Sequence, residues 1–233
     1  LGFNRSKFPH CTTIVTGTQA ANPNDNQIYL LTANNLSRTK YDDDLDSDSD
    51  SETETDPTTV QEAQLEVSQT GHPGSVNRIR LSKGNETKFV ASQSESQQVF
   101  IWDLAKLKTT RTIGHKTNKP SWLHSIGTNG TEGWAIDWNQ TTGALASGFC
   151  NGRLVVTECT GTTFTDTVIV NGSMQLGSIE DLQWSPSEST VVASASTDGT
   201  VGIWDLRSSS QKKPSLVINA HPGTDVNVIS WST

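Results

Sequence analysis

The sequence predicts an all-β protein built from repeated four-stranded antiparallel sheets, and three observations lead to this prediction. Short apolar runs alternate with turn residues along most of the 233-residue chain, without a sustained helical period or helix-capping pattern. Asn151-Gly152 and Asp198-Gly199 each stand between two apolar runs, which is the strongest short hairpin signal. Strand-like segments also recur at a fixed spacing, because Trp138, Trp184 and Trp231 lie 46 and 47 residues apart.

The expected strands are taken in order along the chain. TTIVTG (12–17) and QIYLLTA (27–33) form an irregular N-terminal unit. Six later runs have the length and composition of strands: 90–92, 99–102, 144–147, 154–156, 191–194 and 201–204. The stretch 92–104 aligns without a gap on 194–206, and 147–159 fits between them with Thr157-Glu158 where the others have Trp-Asp.

A repeat of about 46 residues with Trp-Asp closing the third strand resembles the WD-repeat β-propeller. The resemblance implies three near-complete blades, at about 72–118, 122–170 and 175–218. A fourth blade is expected to begin at His221 and to contribute one strand. We divide the chain into an irregular N-terminal blade (1–71) and WD-repeat blades (72–233). WD-repeat propellers usually close with seven blades in roughly 300 residues, so the chain is expected to form part of such a ring.

WD-repeat blades often tie themselves together through a His, a turn Asp, a strand Ser or Thr and the Trp indole. The resemblance assigns structural roles to His72, Trp102, Asp103, Ser194, Asp198, Trp204 and Asp205. Ser96 replaces the turn Asp of the first repeat, and no His precedes the first strand of the last repeat. Because a buried indole N–H needs a hydrogen-bond partner, we interpret these side chains as structural.

Charge divides the chain into two unlike parts. The formal net charge is −8, yet residues 41–77 contain 11 acids and no Lys or Arg, so the remainder carries +3. Nine of these acids lie within 42–56: Asp42, Asp43, Asp44, Asp46, Asp48, Asp50, Glu52, Glu54 and Asp56. Such a block cannot bury apolar surface and its charges repel, so we predict a disordered acidic insert at about 41–62. It is either a solubilising loop or a binding segment for a basic partner.

The insert also contains hydroxyl groups in an acidic context. Ser47, Ser49, Ser51 and Thr53 each have an acid three residues downstream, which is the pattern that an acidophilic kinase reads. Each phosphate would add about −1.5 to −2 charges. We therefore treat these four residues as candidate phosphorylation sites that would strengthen the polyanion.

Several stretches carry a closer resemblance. They are Phe8-Pro9, Gly17-Thr18-Gln19-Ala20, the acidic insert, HPGSVNRIR (72–80), GWAIDW (133–138), SIEDLQWSP (178–186) and DVNVISW (225–231). In this order they resemble the glutamate-rich WD-repeat protein family, which is related to the retinoblastoma-binding histone chaperones. Two features depart from the family: the insert is rich in Asp and Ser rather than Glu, and Thr157-Glu158 weaken one blade signature.

The resemblance implies a nuclear or nucleolar, non-enzymatic chaperone-like protein that binds core histones or a large-subunit ribosomal protein, without a cofactor or a small-molecule substrate. The net charge argues against a protein that coats nucleic acid. The chain has no run of about 18 apolar residues, so no membrane span is predicted. Two alternatives stay open: a WD-repeat adaptor of a ubiquitin ligase or signalling complex, and a propeller hydrolase with carboxylates at its central channel.

Motifs of common catalytic and metal sites are missing from the sequence. It contains no Gly-rich phosphate loop, no G-x-S-x-G elbow and no H-E-x-x-H. His10-Cys11 is an isolated pair, so no zinc site is expected. The odd cysteine count, without framework spacing, favours a reducing compartment. Cys150 and Cys159 flank a hairpin strand, and we expect them to be buried small apolar groups.

Overall fold

A computed structural model describes residues 9–37, 62–82, 88–109, 121–127, 130–171, 177–207 and 213–232. These residues form four antiparallel sheets. Sheet 1 consists of β1 (His10–Gly17), β2 (Gln27–Leu36) and β3 (Gln64–Gly71), with a 3₁₀ turn at Pro23–Asp25. Sheet 2 consists of β4 (Val76–Leu81), β5 (Phe89–Ser94), β6 (Gln98–Asp103) and β7 (His124–Gly127), and the short helix α1 (Leu104–Thr109) follows β6.

Sheets 3 and 4 repeat the four-stranded pattern of sheet 2. Sheet 3 consists of β8 (Ala135–Trp138), β9 (Leu145–Gly148), β10 (Arg153–Thr160) and β11 (Thr163–Asn171). Sheet 4 consists of β12 (Ile179–Trp184), β13 (Val191–Ser196), β14 (Thr200–Asp205) and β15 (Leu216–Asn219). Each sheet is a meander in which consecutive strands pair. The all-β prediction with repeated antiparallel sheets is therefore confirmed, whereas the seven-bladed ring stays a prediction.

The hairpin turn at Asp198-Gly199 needs only one residue with a positive φ. Asp198-Gly199 lies in a three-residue connection in which the Gly199 N–H donates to the Ser196 carbonyl over 3.1 Å. Gly199 has a φ of 85°, whereas Asp198 does not have a positive φ. Connections of this length combine a type I turn with one left-handed residue, so the turn needs a single glycine. The equivalent turn of sheet 2 places Gln97 at a φ of 63°, where a side chain is strained.

The hydrophobic core fills the spaces between successive sheets. Phe100 and Trp102 of sheet 2 pack with Ile28 and Leu30 of sheet 1. A second cluster joins sheets 2 and 3, and a third joins sheet 3 to sheet 4 around Trp184. Each sheet is thus apolar on the face that meets its neighbour, as stacked sheets require. Stacking brings β4, β8 and β12 side by side as the inner strands.

Three tryptophans, two at the ends of β8 and β12 and one in the segment after sheet 4, hydrogen-bond to the sheet that precedes them. The indole N–H of Trp138 donates to the Arg80 carbonyl over 3.2 Å, that of Trp184 to the Asp137 carbonyl over 3.1 Å, and that of Trp231 to the Gln183 carbonyl over 3.2 Å. We call these contacts the indole locks. The tryptophans that repeat at 46 and 47 residues in the sequence are thus the donors of these hydrogen bonds, and the acceptors lie 58, 47 and 48 residues earlier in the chain.

In two of the three locks, the side chain of the residue whose carbonyl accepts the indole adds a second hydrogen bond. Asp137 Oδ2 accepts the backbone N–H of Trp184 over 2.8 Å, and Gln183 Oε1 accepts that of Trp231 over 3.2 Å. The guanidinium of Arg80 has no acceptor atom and cannot make this bond. The lock between sheets 3 and 4 therefore has two hydrogen bonds, whereas the lock between sheets 2 and 3 has the indole bond alone.

The prediction of a strand after His221 is wrong for the described part of that segment. Residues 221–232 form no β-ladder, although Val226 is buried. The Val226 N–H donates to the Ser196 carbonyl over 3.1 Å, and the Ile229 N–H donates to Asp181 Oδ2 over 3.1 Å. Ile229 and Trp231 line a cavity together with Ala193 and Ile203 of sheet 4. The segment thus lies beside β12 without forming a β-ladder with it.

Trp184→Phe is expected to destabilise the protein by about 2–4 kcal/mol, because it leaves the Asp137 carbonyl without its indole donor and opens space in a buried cluster. Trp231→Phe is the matched control and should cost less than about 1 kcal/mol, because Trp231 is half-buried and locks a segment without a sheet of its own. Urea unfolding monitored by circular dichroism measures both losses, and equal losses would contradict the role of the lock.

Asp137 makes the stability of this lock depend on pH. Burial raises the pKa of its carboxyl above 3.8, and the backbone N–H groups of Trp184 and Trp138 and the charge of Arg80 offset this only in part. Because the folded-state pKa lies above the unfolded one, stability should increase as pH falls through the folded pKa. Wild type should therefore gain stability relative to Asp137→Asn between pH 7 and pH 4 in urea unfolding; parallel pH curves would refute this.

Candidate protein-binding interface

A buried hydrogen-bond chain holds sheet 2 together. Trp102 Nε1 donates to Ser92 Oγ over 2.9 Å, and Ser92 Oγ lies 2.9 Å from His72 Nε2. His72 Nδ1 lies 2.8 Å from the Gly74 carbonyl. Burial lowers the pKa of His72, which favours a neutral ring that donates from Nδ1 and accepts the serine hydrogen at Nε2. In this tautomer every polar atom of the chain has a partner.

Sheet 4 has a shorter version of the same arrangement. Trp204 Nε1 donates to Ser194 Oγ over 2.9 Å. Asp198 Oδ1 accepts from the backbone N–H of Thr200 over 3.0 Å and from its hydroxyl over 2.6 Å, so this side chain stabilises its own turn. Burial favours the neutral carboxyl, but the hydrogen bonds from Thr200, Ser196 and Gly177 outweigh it and lower the pKa of Asp198.

The two Asp residues that follow the tryptophans have local roles. Asp103 Oδ1 accepts the Ala105 N–H over 2.8 Å and so caps α1. Asp205 pairs with Arg207 at 2.8 Å, and the hydrogen bonds from Arg207 lower the pKa of Asp205 to about 2. Both pairs lie at the surface, where such contacts contribute little to stability. The structure thus places all seven WD positions in structural contacts.

Sheet 3 lacks the Trp–Ser hydrogen bond of sheets 2 and 4, because Thr157 stands at the Trp position. Ser147, the equivalent of Ser92 and Ser194, is fully buried and its hydroxyl has no partner in the structure. Thr157 Oγ1 donates instead to Asp166 Oδ1 over 2.7 Å. Asp166 also meets His124 Nε2 at 3.0 Å, which ties the outer strand of sheet 3 to that of sheet 2.

The acidic insert and its candidate phosphorylation sites, Ser47, Ser49, Ser51 and Thr53, lie outside the described residues. The strands on either side of it are described: β2 ends at Leu36 and β3 begins at Gln64. In the sequence the insert therefore belongs to the connection from β2, the central strand of sheet 1, to the edge strand β3. We call the edge of the assembly where β2 ends and β3 begins the insert end.

The opposite edge, which we call the acidic end, joins all four sheets. Contacts between neighbouring sheets define it: the Val76 N–H donates to the Thr18 carbonyl over 2.9 Å, and the Ile179 N–H donates to the Phe149 carbonyl over 3.2 Å. The described connections at this end contain no Lys or Arg. They contain five acids, which are Asp25, Glu95, Glu132, Asp198 and Asp225.

Basic residues concentrate at the other edge. Among the residues whose side chains are described, four Lys and Arg residues lie in the connections of the insert end: Lys88, Lys106, Arg207 and Lys213. The described connections of the two edges therefore differ in charge. Sequence reasoning missed the acidic end, because its acids are single residues in separate turns and only the fold assembles them.

Three other expectations concern chemistry. Cys150 and Cys159 are half-buried, so the expectation of fully buried thiols is wrong; both lie near the ends of β10, where its outer residues reach the surface. The described residues contain no group of three potential metal ligands. Within those same ranges, no helix has the length and apolarity needed to cross a membrane.

Carboxylates do occur on the inner strands, as a hydrolase would require, but they serve other contacts. Asp137 accepts the Trp184 N–H, and Asp181 accepts the Ile229 N–H. Asp181 Oδ1 also lies 3.8 Å from Arg78 Nη2. These carboxylates thus join inner strands to one another, which accounts for their position at the axis.

Comparisons with known proteins agree with this architecture. The profile of the family "WD domain, G-beta repeat" matches residues 168–205. The crystal structure of Chaetomium thermophilum Sqt1 bound to the N-terminus of the ribosomal protein L10 superimposes with a TM-score of 0.56 at 18% identity. The match covers 91% of this chain and 47% of that one, and it shows the fold.

Sequence relatives confirm the resemblance to glutamate-rich WD-repeat proteins. Glutamate-rich WD repeat-containing protein 1 of Dictyostelium discoideum is 40% identical over 94% of this chain. Ribosome assembly protein rrb1 of Schizosaccharomyces pombe is 36% identical over 99% of it, and Protein HEAT STRESS TOLERANT DWD 1 of Arabidopsis thaliana is 37% identical over 89%. The chain spans 46%, 48% and 48% of these relatives, about half their length.

Three equivalent serines should respond differently to substitution by alanine. Ser92→Ala should cost about 2–3 kcal/mol, because it leaves two buried groups, on His72 and Trp102, without a partner. Ser194→Ala should cost about 1 kcal/mol, because it affects the Trp204 indole alone. Ser147→Ala removes a hydroxyl that has no partner and should be neutral or stabilise by up to about 1 kcal/mol. Chemical denaturation gives all three values, and a loss for Ser147→Ala as large as for Ser92→Ala would contradict this ranking.

Proposed function

We propose that this chain, a homologue over most of its length of glutamate-rich WD repeat-containing and ribosome assembly proteins, is a non-catalytic scaffold that binds a basic ribosomal protein during ribosome assembly. The charge of −11 confined to residues 41–77 carries the proposal. The names of the relatives support the process, since one of them is a ribosome assembly protein. The structural neighbour supports the type of partner, because that protein was crystallised with a ribosomal protein segment.

The stacked sheets and the acidic insert would both contribute to binding the basic partner. Stacked sheets fastened by indole locks provide a preformed surface whose shape is set before the partner arrives, which limits the entropy lost on binding. The acidic insert raises the encounter rate with a cationic protein and masks its charge after binding. We place this binding in the nucleus or nucleolus, and the name of the relative ribosome assembly protein rrb1 supports that compartment. Core histones are a second partner class of the same chemistry.

The charge of the insert can be tested without changing its length. A variant with the nine acids of 42–56 replaced by Asn and Gln should bind a purified basic large-subunit ribosomal protein at least about tenfold more weakly at low salt. The salt dependence of the affinity should become shallower as well. A second variant, in which the residues of 42–56 are shuffled and the charge is kept, is the control and should bind like wild type.

Fluorescence anisotropy at two salt concentrations measures these affinities, with core histones as a parallel ligand. An unchanged affinity together with an unchanged salt slope would overturn the role of the insert. Recovery of ligase or signalling subunits, rather than ribosome-assembly factors, with the tagged chain would favour the adaptor function instead.

A further inference from the structure

We propose that His124, Asp166 and Thr157 form a pH-sensitive clamp, which holds the far end of the β10–β11 hairpin against sheet 2. Protonation of His124 strengthens the clamp, and loss of that proton loosens it. Three observations carry the proposal. The hairpin extends beyond its own sheet, side-chain contacts attach the extension to sheet 2, and one of these contacts involves a histidine, whose charge changes between pH 5 and pH 8.

The β10–β11 hairpin is longer than the rest of sheet 3. β10 pairs with β11 from Arg153 to Thr160, whereas β9 pairs with β10 only as far as Thr157. Residues 158–165 therefore extend beyond β9 toward the insert end, and we call them the overhang. A two-stranded hairpin alone is at best marginally stable in water. The overhang thus depends on contacts outside its own sheet.

Aromatic packing attaches the overhang to sheet 2. The Phe164 ring meets the Phe89 ring edge-on, with 5.4 Å between the centroids, and stacks on the His124 imidazole at 5.4 Å and 18°. Phe164 and Cys159 stand opposite each other in the hairpin, and both pack against the cluster that joins sheets 2 and 3. Because these two side chains are only half-buried, this packing stabilises the overhang less than a fully buried contact would.

The clamp lies where the overhang joins the sheet. His124 Nε2 is 3.0 Å from Asp166 Oδ1 and 3.1 Å from Asp166 Oδ2. Thr157, directly across the hairpin, donates from Oγ1 to Asp166 Oδ1 over 2.7 Å and so orients the carboxylate. Because a carboxylate only accepts, Nε2 carries a hydrogen in both states of the ring, and protonation adds one at Nδ1. The ring then carries a positive charge, and its hydrogen bond to the carboxylate becomes stronger.

Other ionisable side chains lie on β5, β6 and β10 or directly beside these strands. They are Lys88, Asp103, Arg153, Glu158 and Cys159. Lys, Arg, Asp and Glu side chains ordinarily keep their charges between pH 5.5 and pH 8. Burial raises the pKa of the Cys159 thiol, which keeps this thiol neutral in the same range. Among the described residues around the clamp, His124 is therefore the group whose charge changes in this range.

Amide hydrogen exchange of the full chain tests the clamp. In wild type, protection factors of residues 158–165, corrected for the intrinsic pH dependence of exchange, should rise about two- to fivefold from pH 8 to pH 5.5 relative to those of β13. His124→Gln keeps an N–H donor for Asp166 but cannot gain a charge, so its profile should be flat. His221→Gln, at an exposed histidine after β15, is the matched control and should keep the rise.

Two further variants separate the clamp from the packing of the overhang. Phe164→Leu weakens the aromatic contacts and should lower protection at both pH values while the rise in acid remains. Asp166→Asn keeps the shape of the side chain and removes its charge, so it should abolish the rise. A flat wild-type profile, or a rise that persists in His124→Gln, overturns the proposal. If His124→Gln lowers protection at every pH, Asp166→Asn decides: a flat profile supports the clamp, and an unchanged rise overturns it.

Discussion

The arrangement of the sheets depends on a single kind of contact, the hydrogen bond from an inner-strand indole to a carbonyl of the preceding sheet. Apolar packing alone would let neighbouring sheets slide, because the hydrophobic effect has no direction. The indole N–H has a direction, and its acceptors on Arg80, Asp137 and Gln183 set the offset of each sheet against the next. The offset between sheets determines where the loops at the sheet edges lie, so the loops of different repeats meet at the acidic end.

Much of this fold was visible in the sequence. The spacing of Trp138, Trp184 and Trp231 predicted the repeat, since Trp138 ends β8, Trp184 ends β12 and Trp231 locks the segment after sheet 4 to β12. The acceptors of their N–H groups are backbone carbonyls, which leave no mark in a sequence. Thr157-Glu158, in place of Trp-Asp, predicted that sheet 3 would differ from sheets 2 and 4. The contact that replaces the Trp–Ser hydrogen bond involves Asp166 and His124, which are 42 residues apart and form no local sequence pattern. Likewise, no motif could have grouped Glu95 with Glu132 or Asp198.

Charge is organised on a larger scale than any single contact. The ends of β2 and β3 that flank the acidic run lie at the opposite edge of the sheets from the acidic turns, and this edge also carries Lys88, Lys106, Arg207 and Lys213. A polyanion would be repelled at the acidic end. The charge of the connections therefore differs between the two edges that the strands join.

The indole locks also set the order in which the chain can mature on the ribosome. A lock joins residues 47, 48 or 58 positions apart, and its donor always comes from the later repeat. At about 5–20 residues per second, translation supplies that donor roughly two to twelve seconds after its acceptor. Each sheet therefore lacks its indole hydrogen bond until the next repeat has begun to emerge from the ribosome. During those few seconds the incomplete assembly is accessible to chaperones.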